Sequence, residues 1–284
     1  MSDHCFFVSD LHGHNDRYAK LFGAIEEEAP RAVFLGGDLL PHHWAERLAG
    51  EDFIGDVLVP GFDSLRENLG EATPQVFVIL GNDDDRASEQ VFIEGDESGL
   101  WTYAHERWGT VDSFSVVGYA YVPPTPFLLK DWERYDVSRF TDAGCVSPER
   151  GQRTVPVDPD EIRFGTIAGD LVRLTEDRDL EDTVCLFHSP PYRTDLDRAA
   201  LDGRTVDHAP LDVHVGSIAI QRFIEDRQPL LTLHGHIHES PRLTGTWRQQ
   251  IGRTHAFTAA HDGSELALVR FDLDDLDSAT RELL

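Results

Sequence analysis

Asp10 and His12 stand two residues apart in Ser-Asp-Leu-His-Gly, a spacing from which a carboxylate and an imidazole can reach one cation. Alone, such a pair is an ordinary surface turn. Asp38 follows two glycines in Gly36-Gly37-Asp38, where the backbone can turn tightly and bring the carboxylate close to an ion, or between two ions. Gly81-Asn82-Asp83-Asp84 adds a neutral amide oxygen, then carboxylates able to orient it or a substrate. His188 precedes Ser189-Pro190-Pro191, whose prolines stiffen the chain just beyond the imidazole. His234-Gly235-His236-Ile237-His238 alternates three imidazoles, a pattern that reads as metal binding because unpaired buried rings are costly.

Asp10, His12, Asp38, Asn82, His188, His236 and His238 form a mixed nitrogen and oxygen set without thiolates, suited to Mn, Fe or Zn. The elements that must position them are five short apolar runs: Cys5 to Val8, Ala32 to Leu35, Val76 to Leu80, Val184 to Phe187 and Leu230 to Leu233. Each is followed within three residues by Asp, Asn or His. In open α/β sheets ligands gather at the carboxyl ends of strands, where loops diverge and side chains converge.

Helix-like segments alternate with these runs, among them Arg17 to Ala29 and Ile218 to Arg227, the second with Ser217 as its cap. The alternation predicts an α/β sandwich. Ser113 to Val122 reads as a further strand, and His255 to Ala259 with Leu266 to Leu273 reads as a C-terminal hairpin turning at Asp262-Gly263. One domain over 1–284 is expected, with an irregular, Pro-rich and aromatic cap or insertion within about 85–160.

The ordered motifs, D-L-H, G-D, G-N-D-D, a lone His before Ser-Pro-Pro, and G-H-I-H, resemble those of the calcineurin-like metallophosphoesterase superfamily. G-D-L-L-P and H-G-H-I-H-E are similar to its small prokaryotic members. The resemblance implies a four-layer αββα sandwich of two mixed sheets flanked by helices. It also implies two divalent or trivalent ions, one held by Asp10, His12 and His238, the other by Asn82, His188 and His236, with Asp38 bridging. Two ions roughly 3.5 to 4 Å apart can turn a shared water into hydroxide at neutral pH, which attacks a phosphomonoester or phosphodiester in line.

The family's third motif usually carries His after Asn, where it assists the leaving group; Asp83 holds that place here. Asp83 and His14 are therefore the candidate groups for proton transfer, with His42 and His43 as further nearby imidazoles. The missing imidazole also admits a non-catalytic metal-binding scaffold on the same fold. Thr258-Ala259-Ala260 replaces the Asn-Pro-Gly turn of many relatives, so one wall of the site is expected to differ.

The 284 residues carry 25 basic against 52 acidic side chains, a formal charge of -27, which argues against nucleic-acid binding because counterion release needs clustered Lys and Arg. Lys20 and Lys130 are the only lysines. No run approaches the roughly 20 apolar residues of a membrane span, and the first residues lack the basic and apolar regions of a signal peptide. A cytoplasmic enzyme acting on a small phosphate ester is expected. Cys5, Cys145 and Cys185 are too far apart for a C-x-x-C site, and the two within apolar runs are expected to be core thiols.

Overall fold

The computed structural model describes residues 4–42 and 52–284; His43 lies outside them. Two six-stranded mixed sheets face each other. In the first, β1 (His4–Val8), β2 (Ala32–Gly36), β3 (Gln75–Ile79) and β4 (Thr102–Tyr103) run parallel. The second contains β5 (Trp108–Val111), β6 (Phe114–Tyr119), β7 (Thr183–Phe187), β10 (Leu231–His234), β11 (Arg248–Ile251) and β12 (Thr254–Thr258). There β6, β7, β10 and β12 are parallel, with β5 and β11 antiparallel at the edges. The strands β8 (Thr205–Val206) and β9 (Ala209–Pro210) form a separate two-residue ladder.

The five apolar runs become β1, β2, β3, β7 and β10. All residues of these strands except His4 and Gln75, each the first of its strand, are buried, as parallel strands covered on both faces must be. Aromatic side chains fill the space between the sheets: Phe34 stacks on Phe77 at 5.3 Å, and Phe257 of β12 meets Phe271 of the opposite sheet at 6.1 Å. Cys5 and Cys185 are buried free thiols in this interior, and Cys145 is half-buried.

Helices α1 (Asn15–Glu28) and α2 (Val59–Leu69) pack together outside the first sheet, joined through Phe22 and Phe62 at 5.3 Å. Helix α3 (Glu89–Glu97) follows β3, while α4 (Pro159–Phe164) and α5 (Ile167–Leu174) precede β7. Helix α6 (Ile218–Arg227) packs on α5 and sets Phe223 against Phe187 of β7 at 5.9 Å. Ser217 caps α6, its side chain accepting the Ile220 N–H. Short α7 (Ser240–Thr244) follows the last imidazole motif. The result is the four-layer sandwich.

The expected C-terminal hairpin is not formed. Thr254–Thr258 belongs to the second sheet, whereas β13 (Ala267–Asp272) crosses to the first and pairs antiparallel with β1. The Asp262-Gly263 turn is thus a crossover between sheets, and the actual hairpins are β11 with β12 and β13 with β14 (Asp275–Leu283). A polar turn between two apolar runs signals a reversal, but an apolar face in each run specifies burial and not which sheet it joins. Residues 120–158 contain isolated bridges but no helix or extended strand.

Candidate metal centre

All the candidate ligands leave the carboxyl ends of β1, β2, β3, β7 and β10. The loops after β1 and β2 continue to pair beyond the strands: the N–H groups of Asp10, His12 and Gly13 donate to the carbonyls of Gly37, Asp38 and Leu39 at 2.9, 2.8 and 2.9 Å. Asp10, His12, Asp38 and His236 all adopt positive φ, at 57, 47, 53 and 73°. Such backbone is uncommon outside glycine and persists where surrounding contacts over-determine it. Here it turns four neighbouring side chains toward one place.

Two glycines permit the close approach. A Cβ on Gly37, at φ 90°, would stand 2.6 Å from His188 Nδ1, and one on Gly81 would overlap Asp38 Oδ1. A larger residue at either position would displace a ligand.

Two groups of potential ligand atoms result, each with all its atoms within 4.8 Å of one another: Asp10, His12, Asp38 and His238, and Asp38, His188 and His236. Asp38 belongs to both. Its Oδ2 is 3.3 Å from His188 Nε2 and 4.0 Å from His12 Nε2. Asn82 lies beside the second group, its Oδ1 3.2 Å from His188 Nε2. His238 Nε2 is 3.3 Å from Asp10 Oδ1 and 3.2 Å from His12 Nε2.

The tautomers suit ligation. His188 Nδ1 faces the Gly36 carbonyl at 2.8 Å, so an Nδ1–H donated there leaves Nε2 directed into the cluster. Asp10 is aimed by Ser9 Oγ–H at 2.5 Å on one oxygen and by the His236 N–H at 2.9 Å on the other. The buried Arg17 guanidinium donates to the Asp10 carbonyl at 2.6 Å and to the Gly263 and Ser264 carbonyls, clamping the first loop to the crossover.

The electrostatics call for cations in the middle. Burial opposes the charged form of Asp38, but His188, His12 and the Asp83 N–H outweigh it and hold its carboxyl well below the usual range. Asp10, likewise buried, is brought to about 2 by the hydrogen bond and charge of His238. Burial lowers the basicity of His188 and His238, yet Asp38 drives the first up to about 10 and Asp10 the second to about 9. His236, desolvated and facing His188, falls to about 3. Two buried carboxylates thus draw positive charge into a nest of imidazole nitrogens, the demand that bound metal ions satisfy. The donor set fits the metals expected of it.

Of the three alternating imidazoles, His234 is not part of the centre. Its Nδ1 meets the Ser189 carbonyl at 2.9 Å, its Nε2 meets Thr232 Oγ1 at 2.8 Å, and its ring stacks on Phe187 at 5.8 Å. It is a satisfied core histidine, kept neutral by burial, which pulls it down to about 4. His14 occupies the N-cap of α1, exposed and without a capping side-chain bond, and is in neither ligand group. Asp83 joins the cluster directly: its N–H donates to Asp38 Oδ1 at 2.8 Å and its Oδ2 is 3.7 Å from His12 Nδ1.

Ser9 and Arg17 carry supporting roles that the sequence reading left unassigned. Ser9 lies inside the first motif, next to Asp10, whereas Arg17 gives no signal, because the crossover carbonyls it holds are 246 and 247 residues away.

The chain belongs to the calcineurin-like phosphoesterase family, whose model matches residues 5–240. It is a metal-dependent phosphoesterase. No curated protein matches it. Among solved structures it is similar to TT1561 of Thermus thermophilus, at 15% identity and a TM-score of 0.58, covering 100% of this chain and 99% of that one. A phosphopantetheinyl hydrolase from Mycobacterium tuberculosis aligns at 12% identity and a TM-score of 0.52, over 90% and 89% of the two chains. A dimetal phosphatase from Danio rerio aligns at 12% identity and a TM-score of 0.53, over 99% and 95%. At these identities the likeness is one of fold. Among the described residues no helix is long and apolar enough to cross a membrane.

Proposed function

We propose that this chain is a dinuclear phosphohydrolase that cleaves a small phosphomonoester or phosphodiester in the cytoplasm, using two ions drawn from Mn, Fe and Zn. The observation that carries the dinuclear reading is the membership of Asp38 in both ligand groups. Asp10, His12 and His238 would hold one ion, Asn82, His188 and His236 the other, and Asp38 both. Bound there, the pair supplies Lewis acidity toward the phosphoryl oxygens and lowers the pKa of water.

The remaining work falls to the chain. Asp10 and Asp38 set the charge of the centre, while Gly36 and Ser9 fix the orientation of His188 and Asp10 through the bonds described above. Asp83 and His14 are assigned to the leaving-group side, Asp83 foremost. It lies against the shared carboxylate, its N–H donating to Asp38 Oδ1 at 2.8 Å and its Oδ2 standing 3.7 Å from His12 Nδ1. The irregular stretch within about 85–160 is assigned to the same domain as a cap beside this site.

The test is hydrolysis of an activated aryl phosphomonoester and phosphodiester with Mn added, then with a chelator. Turnover that needs the metal is expected, and turnover indifferent to the chelator would refute the reading. Binding of two ions without hydrolysis of any ester would instead favour a scaffold.

A further inference from the structure

We propose that His42 delivers the proton to the departing alcohol and that Asp83 holds its ring for that purpose, an inference resting on the phosphohydrolase reading above. His42 follows closely on an anchored turn: the N–H groups of Leu39 and Leu40 both donate to the buried Asp84 carboxylate, at 2.9 and 2.8 Å, and the Leu39 carbonyl accepts from Gly13 N–H at 2.9 Å. These bonds hold the chain two residues before His42, next to the cluster. Its side chain is 59% exposed, and its Nε2 lies 3.9 Å from Asp83 Oδ1.

Asp83 is anchored at its other end. Its backbone donates to Asp38 Oδ1 at 2.8 Å, and its second oxygen faces His12 at 3.7 Å. A line of contacts thus runs from the shared carboxylate Asp38 through Asp83 to His42, from the buried centre to solvent. His42 stands at the solvent-exposed end of this line, where its ring is free to meet a bound ester. With Nε2 directed at Asp83, Nδ1 is left for the substrate. The 3.9 Å separation exceeds a hydrogen bond, as is common for catalytic contacts before substrate closes them.

The step balances without an added reactant. As a water oxygen bonds to phosphorus, the ester P–O bond breaks and its electron pair passes to the alcohol oxygen. That oxygen takes the proton from His42 Nδ1; the proton released by the attacking water goes to solvent, from which the ring recovers its own. An alkyl alcohol, a poor leaving group, needs this proton, whereas nitrophenolate departs without it.

The experiment compares His42→Gln with wild type on an alkyl phosphate ester and a nitrophenyl ester, in the full chain loaded with Mn. The variant is expected to lose about 100-fold to 10,000-fold in kcat on the alkyl ester and less than about tenfold on the nitrophenyl ester, with KM and metal content little changed. Asp83→Asn should cause a similar selective loss, and the double variant should lose little more than either single one, because the two residues act as a unit. Equal losses on both esters, or none on the alkyl ester, would overturn the assignment. Wild type inactive on every ester with metal present would sink the functional reading instead.

Discussion

The carboxylate of Asp84 receives the backbone N–H of Leu39 at 2.9 Å, together with those of Leu40 at 2.8 Å and Gly81 at 2.8 Å. This fully buried side chain ties the loop after β2, which carries Asp38, to the loop after β3, which carries Asn82. Burial and the neighbouring Asp38 charge push it up to about 8, against the pull of those three donors. It therefore spans two ligand-bearing loops without itself reaching into a ligand group.

Asp84→Ala should strand three buried donors, each costing about 1 to 3 kcal/mol, so a loss of roughly 3 kcal/mol or more is expected in urea unfolding. Asp84→Asn keeps an oxygen for Leu39 and Leu40 and should cost less than the alanine variant. Equal stability of the alanine variant and wild type would show that the loops hold their positions without this carboxylate.

His105 gives the protein an acid sensitivity remote from the metal centre. It is enclosed by Tyr119, Tyr121 and Trp132, its Nδ1 accepts the Ala120 N–H at 3.1 Å, and burial with help from Arg86 and Arg134 lowers it from 6.5 to about 3. The unfolded chain binds this proton below pH 6.5 and the folded one refuses it, so the stabilising term is whole above pH 6.5 and declines as pH falls toward 3. Unfolding measured across that window should show wild type losing about 1.4 kcal/mol per pH unit more than His105→Gln. Parallel profiles would mean that His105 titrates normally in the folded state.

The clustering of the strand-end candidates was legible because chemistry and fold coincide in short stretches of sequence: Asp10 and His12 after β1, Asp38 after β2, Asn82 after β3, His188 after β7, and His236 with His238 after β10. His234 misled because alternation along the chain cannot show that Thr232, two residues earlier, and Ser189, on another loop, satisfy its ring. The crossover of β13 was hidden for a related reason. Its run buries Ala267, Val269 and Phe271 on one face while Arg270 and Asp272 interrupt the other, so the pattern specifies a buried face and leaves the partner strand undetermined. β14 was invisible for the opposite reason, since Asp275, Asp277, Ser278, Arg281 and Glu282 suit an edge strand that meets solvent.

The excess of 52 acidic over 25 basic side chains should make stability depend on ionic strength. Many of the acids have partners, as in Glu28 with Arg270 at 2.7 Å and Asp262 with Arg242 at 2.7 Å, and salt weakens such exposed pairs. Repulsion among the surplus carboxylates acts in the other direction and, at a charge of -27, is the larger sum. The melting temperature is expected to rise between low salt and about 1 M NaCl, where screening is nearly complete. A flat or falling curve would show that the pairs dominate.

Asp38 offers the most direct test of the centre because one carboxylate is asked to serve two ions. Asp38→Asn keeps the shape and the oxygen that accepts the Asp83 N–H, but removes the charge that faces His188 at 3.3 Å and His12 at 4.0 Å. If Asp38 bridges, both ions lose a ligand and a shared negative charge, so elemental analysis after dialysis should find fewer than two metals per chain. Turnover should fall by at least about 100-fold, beyond the usual effect of disturbing a residue that only supports a ligand. A urea melt without metal separates this from misfolding, because a cooperative transition shows that the variant still folds even though His188 has lost its charged partner. Two metals retained with unchanged turnover would place the bridge elsewhere; one metal retained with full turnover would make the enzyme mononuclear.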